Sequence, residues 1–268
     1  MSASSLHPVS LVLIDISGYT RFTKLHRLSA LHAEQIIGEL LEAIMRRATA
    51  PLMRYEIQGD AVSFYAQSDG STALANEIRR QVSAIFEAFR MREGELISDC
   101  SLCVCEACRN VGKLHLKAIL HHGQAVFSQL LEFRKISGED VILAHRLLKN
   151  SVPNAEYILE TESFYRLGGS FPGMQAEQRR ESCAEFGTLP VRVFYPSISA
   201  ARVAAVPRSL ASKLRMSIKN DWYSLRRLFR PAPRARVELP AIERSQTARF
   251  IEQTHFPLRK DKSPNKQP

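Results

Sequence analysis

The order of strand and helix patterns in the first part of the chain is the feature that most restricts its fold. Residues 11–14 are Leu-Val-Leu-Ile, a continuous apolar run typical of a strand that is covered on both faces. Residues 32–48 place apolar side chains three and four positions apart, which predicts an amphipathic helix that ends before Pro51. Residues 54–66 give two short strand patterns around Gln58, Gly59 and Asp60, which predicts a β-hairpin.

Further patterns continue this alternation as far as residue 196. A second amphipathic helix is predicted over residues 72–91, and residues 114–120 alternate between apolar and polar like a half-buried strand. Gly123 is expected to break this strand, with residues 124–127 returning as its hairpin partner. A helix over 141–148 and strands over 157–159 and 191–195 follow. The order β-α-β-β-α-β-β-α-β with a late strand predicts an α+β fold of ferredoxin-like type, in which helices pack on a mixed or antiparallel sheet.

The net charge of +10 lies almost entirely in the C-terminal part of the 268-residue chain. Residues 1–200 carry 21 lysines and arginines against 22 acidic residues, whereas residues 201–268 carry 16 against 5. We therefore divide the chain into a domain over residues 1–196 and a basic, proline-rich and arginine-rich tail over residues 197–268. Residues 209–229 of the tail predict one amphipathic helix, which either docks on the domain or lies on an anionic membrane surface.

Composition excludes several classes of protein. Hydrophobic residues make up 45% and charged residues 24%, the balance of a globular chain. No stretch reaches the roughly 18–20 apolar residues that a membrane span requires, and residues 1–8 do not have the pattern of a secretory signal. We therefore expect a cytoplasmic protein, with peripheral membrane or protein contact through residues 201–268 as an alternative. Nucleic acid is not expected as a partner, because the basic tail lacks interleaved aromatic residues and any known motif.

Two aspartates at the ends of predicted strands are the first candidates for chemistry. Asp15 follows the apolar strand and precedes a glycine-containing turn, and Asp60 lies at the tip of the predicted hairpin. Carboxylates brought together at adjacent strand ends are suitable ligands for a pair of Mg²⁺ or Mn²⁺ ions, which can clamp a triphosphate. The alternative is that each is an ordinary capping or turn residue.

Four segments together resemble a known family. Residues 15–20 read Asp-Ile-Ser-Gly-Tyr-Thr, residues 56–60 Glu-Ile-Gln-Gly-Asp, residues 116–123 Leu-Lys-Ala-Ile-Leu-His-His-Gly and residues 138–146 Gly-Glu-Asp-Val-Ile-Leu-Ala-His-Arg. In this order and spacing, over about residues 10 to 196, they resemble the motifs of class III adenylate and guanylate cyclases. They are most similar to a little-characterised bacterial branch, a domain of unknown function whose members also carry a cysteine cluster.

The resemblance implies a nucleotidyl cyclase fold, a cyclase reaction and a set of site residues. Asp15 and Asp60 would hold two Mg²⁺ or Mn²⁺ ions, and Arg146 would stabilise the transition state as the 3′-hydroxyl of ATP or GTP attacks the α-phosphate and expels pyrophosphate. In the family the metal ligands and this arginine come from opposite subunits, which implies a homodimer. The β- and γ-phosphates would be received by the backbone after the first aspartate, which comprises Ile16, Ser17, Gly18, Tyr19 and Thr20.

The chain departs from the family pattern in the part that reads the nucleoside. Ile142 stands four residues before Arg146, where the family has an asparagine that orients the ribose. Glu56 and Lys135 stand at the two base-reading positions, with signs reversed relative to adenylate cyclases. They either contact the base or are ordinary surface charges. These departures leave open a weak cyclase, a different nucleotide substrate or a dimeric signalling or scaffold module without turnover.

A dense group of cysteines is the remaining candidate site. Cys100, Cys103, Cys105 and Cys108 form a C-x₂-C-x-C-x₂-C pattern, and four thiolates suit a tetrahedral structural Zn²⁺. The single-residue gap between the two pairs is short for wrapping one ion, so fewer than four of them as ligands, or a reduced thiol group without metal, are the alternatives. Cys183 is expected to be a small buried apolar residue.

Overall fold

The computed structural model describes residues 6–23, 27–99, 105–130 and 133–196. None of the helices in these ranges is both long and apolar enough to span a membrane. The predicted tail over 197–268, with its helix over 209–229, lies outside the described residues, and so do Cys100 and Cys103.

The described residues form eight strands and six helices. The strands are β1 (Leu6–Ser17), β2 (Met53–Gln58), β3 (Ala61–Gln67), β4 (His115–Leu130), β5 (Phe133–Ser137), β6 (Tyr157–Thr161), β7 (Ala176–Cys183) and β8 (Gly187–Phe194). The helices are α1 (Tyr19–Thr23), α2 (Arg27–Arg47), α3 (Thr72–Asp99), α4 (Glu106–Asn110), α5 (Glu139–Leu147) and α6 (Glu162–Tyr165), and a 3₁₀ turn over Val111–Lys113 follows α4.

All eight strands belong to one sheet. Its order is β2-β3-β1-β4-β6-β8-β7, and β5 pairs with β4 beside this path. The pairs are antiparallel except for β4 and β6, which run parallel. The predicted α+β class, with helices packed on a mixed and mostly antiparallel sheet, is therefore confirmed.

Strand β1 lies at the centre of the fold and is buried on both faces. Val12 and Ile14 belong to the core that α2 and α3 cover, whereas Leu11 and Leu13 belong to the core that α5 covers. Successive strand residues point to opposite faces of a sheet, so a strand between two cores needs apolar side chains at every position. This explains the continuous apolar run.

The predicted β-hairpin is present and is held beside β1. Strands β2 and β3 pair antiparallel around a turn at Gly59 and Asp60, and Gly59 has a φ of 61°. Strand β3 then pairs with β1, with Asp15 opposite Ala61 in register. Because Asp60 immediately precedes Ala61, the hairpin brings the second aspartate to the end of β1 that carries the first.

The prediction that Gly123 breaks a strand is wrong. Strand β4 continues through Gly123 to Leu130, and its hairpin partner is β5 instead of residues 124–127. Gly123 is required for a close approach: a Cβ built there would lie 2.2 Å from Cγ of Asp140, at the start of α5. The glycine therefore lets α5 pack on β4.

Five other elements differ from the prediction. Helix α3 extends to Asp99, eight residues beyond the predicted end. Strand β7, whose residues are mostly exposed and polar, was not predicted. The short helices α1, α4 and α6, of four or five residues each, were also not predicted because they are too short to show a helical period.

Candidate functional site

A cavity of 530 Å³ opens at the end of β1 that carries Asp15. Its walls are formed by the ends of β1, β2 and α5, the β2–β3 turn, the start of α1 and one residue of β4. Its lining residues are Asp15, Ile16, Ser17, Gly18, Tyr19, Thr20, Arg21, Gln58, Asp60, Ala61, Lys117, His145, Leu148 and Lys149. The cavity thus contains both predicted metal-binding aspartates and the whole predicted phosphate-binding segment.

The carboxyl groups of Asp15 and Asp60 meet in this cavity and share a hydrogen bond. The backbone also ties them together, since the Ile16 amide donates to the Asp60 carbonyl oxygen at 3.3 Å. Burial, and then the neighbouring charge of Asp15, raise the pKa of Asp60 to about 7. Two neighbouring carboxyl groups repel each other when both are ionised, which favours the protonated form of Asp60.

Lys117 is a third charged group at the same point. It lies opposite Asp15 in the β1–β4 register, and its Nζ is 2.8 Å from Oδ2 of Asp15. The same ammonium donates a hydrogen bond to the carbonyl oxygen of Leu148 at 3.0 Å. Lys117 was not among the site residues predicted from the sequence, although a lysine between apolar strand residues, opposite an acidic strand end, is a recognisable signal.

The segment after Asp15 turns sharply into α1. Gly18 has a φ of 95°, in the left-handed region that favours glycine, and a Cβ there would lie 3.1 Å from the carbonyl oxygen of Lys113. The turn therefore packs against the residue that ends the 3₁₀ turn after α4. Arg21 on α1 and Lys149 after α5 add positive charge to the cavity wall.

His145 connects the cavity to the predicted base-reading residue Glu56. Its Nε2 is 3.0 Å from the Tyr55 hydroxyl and 3.7 Å from Oε2 of Glu56. Burial lowers the pKa of His145, and the charge of Glu56 opposes that shift. The side chain of Glu56 is therefore within reach of a group that lines the cavity, although Glu56 itself does not line it.

Arg146, Ile142 and Lys135 do not line the cavity. Arg146 lies in the last turn of α5, where its Nη2 donates to both carboxylate oxygens of Glu185 at 3.0 and 3.1 Å. Ile142 lies one turn earlier with 51% of its surface exposed, and Lys135 is exposed on β5. Arg146 is therefore not part of the cavity wall that contains the two aspartates.

Two of the four clustered cysteines lie beside a histidine. Cys105 and Cys108, at the start of α4, converge with His32 of α2, and their three potential ligand atoms lie within 4.8 Å of one another. Sequence analysis missed His32. A signal in the sequence was that His32 lies one helical turn before Ile36 and two turns before Leu40, on the apolar stripe of α2.

Comparisons with known sequences find matches that have no assigned activity. Residues 37–157 match the family described as "Protein of unknown function (DUF2652)". An uncharacterised protein of Mycobacterium tuberculosis is 29% identical over 126 residues, which are 47% of this chain. The match spans 57% of that relative's length.

Comparisons with solved structures give the fold. The adenylyl cyclase CyaB from Pseudomonas aeruginosa superposes with a TM-score of 0.59 at 14% identity, over 73% of this chain and 97% of that chain. A bacterial light-regulated adenylyl cyclase gives 0.53 at 13% identity, over 82% and 59%. A class III adenylyl cyclase-like ATP-binding protein from Pseudomonas aeruginosa gives 0.51 at 16% identity, over 63% and 36%. The chain therefore has the fold of the class III nucleotidyl cyclase catalytic domain, as its four sequence motifs predicted.

Proposed function

We propose that the domain binds ATP or GTP together with two Mg²⁺ or Mn²⁺ ions, and that Asp15 and Asp60 hold the ions. The convergence of these carboxyl groups in the cavity that also contains residues 16–20 is the observation that carries the proposal. The similarity of the fold to adenylyl cyclases supports a nucleotide as the ligand.

The donor set fits hard divalent cations. Mg²⁺ and Mn²⁺ prefer oxygen ligands, and two adjacent carboxyl groups offer four oxygens. The raised pKa of Asp60 reflects burial and then repulsion from Asp15, both of which a cation would offset. When bound, the two ions supply charge neutralisation on the triphosphate and an anchor for its oxygens.

The basic residues of the cavity fit the phosphates. Arg21, Lys117 and Lys149 place positive charge around the two carboxyl groups, as a site for a metal-bound polyphosphate requires. We infer that Lys117 exchanges its contact with Asp15 for a phosphate oxygen when the cations bind, while it keeps its hydrogen bond to the Leu148 carbonyl. The turn at residues 16–20 would receive the β- and γ-phosphates.

We further propose a homodimer in which Arg146 acts on the nucleotide of the partner subunit. In one subunit Arg146 is ion-paired with the exposed Glu185 and is not part of the cavity wall, which supports a role across an interface. The proposed reaction joins the 3′-oxygen of the nucleotide to its α-phosphorus and releases pyrophosphate, with the hydroxyl proton passing to solvent. Arg146 would neutralise charge that develops on the α-phosphate.

Calorimetry tests the first proposal by measuring how a slowly hydrolysed ATP or GTP analogue binds with and without Mn²⁺. We expect Mn²⁺-dependent binding that Asp15→Ala and Asp60→Ala each weaken more than tenfold. Asp69→Asn, which changes an exposed loop aspartate outside the cavity, is the matched control and should bind as the wild type does. Metal-independent binding, or equal binding by all four proteins, would reject the proposal.

A nucleotide-binding module without turnover is the second candidate. The exposed, aliphatic Ile142 supplies no hydrogen bond to orient a ribose, and the fold is also similar to a cyclase-like ATP-binding protein. Ile142→Asn separates the two candidates in a cyclic-nucleotide assay with Mn²⁺. If the remaining site is competent, restoring one donor should raise turnover by roughly 100-fold. Nucleotide binding with no product from either protein would favour the module without turnover.

We separately propose that the basic tail binds anionic membrane surfaces. Its 16 basic against 5 acidic residues would attract anionic lipid headgroups, with an energy that falls as salt screens the charges. We expect the full chain to sediment with phosphatidylserine vesicles at low salt and to be released at high salt. Sedimentation with neutral vesicles to the same extent would contradict an electrostatic contact.

A further inference from the structure

His32, Cys105 and Cys108 form a compact group of metal-binding side chains away from the nucleotide cavity. Nδ1 of His32 lies 3.4 Å from Sγ of Cys105 and 3.8 Å from Sγ of Cys108. All three side chains are half-buried, and both cysteines pack against the core that α2 and α3 share. The group therefore joins two helices that are separated in the sequence by more than 70 residues.

The separations match those of ligands around one tetrahedral Zn²⁺. With Zn–N near 2.0–2.1 Å and Zn–S near 2.3 Å, tetrahedral angles place nitrogen and sulfur ligands about 3.6 Å apart. The two observed N···S distances, 3.4 and 3.8 Å, lie on either side of that value. The three atoms also lie within 4.8 Å of one another, so one ion can contact all three.

The local backbone also fits a metal knuckle. Cys105 is the N-cap of α4, and its sulfur accepts a hydrogen bond from the backbone amide of Cys108 at 3.4 Å. An amide that donates to a cysteine sulfur stabilises the thiolate, which is the form that binds a metal. The two sulfurs are thereby positioned on the same side of the first helical turn.

We propose that His32, Cys105 and Cys108 bind one Zn²⁺ ion, with the fourth tetrahedral position open to a further donor. Nitrogen and sulfur ligands select Zn²⁺ over the hard Mg²⁺ and Mn²⁺ proposed for the aspartates. The neutral imidazole and two thiolates bind the ion, and each cysteine thiol releases its proton to solvent as it does so. This metal site is independent of the proposed nucleotide site.

The ion would have a structural role between α2 and α4. It would fasten α4 to α2, and the chain after α4 leads through the 3₁₀ turn to Lys113, whose carbonyl oxygen would lie 3.1 Å from a Cβ at Gly18. Because Gly18 lies in the predicted phosphate-binding turn, the zinc site would brace that turn from behind. Loss of zinc should therefore loosen α4 before it affects Asp15 on β1 or Asp60 in the β2–β3 turn.

Metal analysis and Co²⁺ substitution of the full chain, purified under reducing conditions, test the proposal. We expect one equivalent of zinc, and an absorption spectrum of the Co²⁺ protein with tetrahedral ligand-field bands and thiolate charge-transfer bands. His32→Ala, Cys105→Ser and Cys108→Ser should each weaken Co²⁺ binding by more than about 100-fold, beyond the 10–100-fold effect of changing an outer partner. His7→Ala and Cys183→Ala are the matched controls and should keep the metal.

Two further variants, His32→Cys and Asp15→Ala, separate loss of a metal ligand from misfolding and from loss of the nucleotide site. His32→Cys preserves a ligand at the same position, so it should retain Co²⁺ with a stronger thiolate band even if His32→Ala does not fold. Asp15→Ala should retain full zinc, which separates this proposal from the nucleotide proposal. A reduced wild-type chain without stoichiometric zinc, a Cys105–Cys108 disulfide in its place, or His32→Ala with wild-type affinity would each overturn the proposal.

Discussion

Asp15 lies directly opposite Lys117 in the β1–β4 register, and the two side chains form an ion pair of 2.8 Å at the edge of the cavity. The same ammonium lowers the pKa of Asp60, against the stronger upward effects of burial and of Asp15. One lysine thus moderates the repulsion between two carboxyl groups. The electrostatic balance of the cavity depends on this lysine, which lies in the motif over residues 116–123 but was given no role from the sequence.

Replacing Lys117 should therefore raise the pKa of Asp60 above its value of about 7. We expect Lys117→Met to shift the carboxyl titration upward in ¹³C NMR spectra recorded without metal, because the positive charge that favours the ionised pair is removed. Lys149→Met is the control, since Lys149 also lines the cavity but is not ion-paired with Asp15. An unchanged or lowered titration in Lys117→Met would contradict this account.

The raised pKa of Asp60 also predicts how stability depends on pH. Between its unfolded pKa near 3.8 and its folded pKa near 7 the native state binds more protons, so the free energy of unfolding should fall as pH rises through this range. Bound Mn²⁺ replaces the shared proton, so it should raise the melting temperature more at pH 8 than at pH 5.

Thermal unfolding at both pH values, with and without Mn²⁺, measures this difference. Asp60→Asn should lose both the pH-dependent decline and the Mn²⁺ effect. Asp69→Asn should keep both, because the pKa of Asp69 is lowered and its influence lies in the acid range. A larger Mn²⁺ effect at pH 5 than at pH 8 would disagree with proton competition at the two aspartates.

Gly123→Ala should destabilise the fold by about 2–3 kcal/mol. The new Cβ would lie 2.2 Å from Cγ of Asp140, whose carboxylate accepts hydrogen bonds from the Gln124 amide at 2.7 Å and pairs with His121 at 2.9 Å. Chemical denaturation measures the loss. Gly94→Ala, in α3 with nothing within 4 Å of the new methyl group, should instead stabilise by about 0.5–1 kcal/mol.

Breaking the buried ion pair between α3 and β6 should be more damaging. Arg79 and Glu160 form two hydrogen bonds of 2.7 and 3.0 Å, and their side chains are 2% and 0% exposed. Glu160→Gln would leave the guanidinium buried without its counter-charge, at a cost of about 3–5 kcal/mol. The exposed pair Arg46–Glu42 provides the comparison, since Glu42→Gln should cost no more than about 1 kcal/mol. Similar losses in the two variants would argue against this difference.

Much of the fold was predictable because its central strand is buried on both faces and its helices are amphipathic. Gly123 misled the prediction, because a glycine in a strand pattern fits either a break or a close approach. Only the distant Asp140 decides between these two interpretations. Strand β7 was not predictable for another reason: it is an exposed edge strand with the sequence Ala-Glu-Gln-Arg-Arg-Glu-Ser-Cys, so no apolar alternation marks it.

The residues of the candidate sites likewise divide into those that local sequence patterns predict and those that they do not. The positions of Asp15 and Asp60 follow from a strand end and a hairpin tip, which local patterns indicate well. Lys117 and His32 depend on strand register and on packing between helices, and these contacts are set by residues far away in the chain. The experiments above test the roles of Lys117 and His32.

The burial of β1 between two cores determines which part of the cavity can move when a ligand enters. A central strand of this kind exchanges its amide hydrogens only when the whole domain unfolds, so the floor of the cavity below Asp15 should be among its slowest-exchanging parts. The short α1 and the hairpin tip form the rim and are held by far fewer buried side chains. Any opening that admits a nucleotide should therefore occur at the rim, with the floor left rigid.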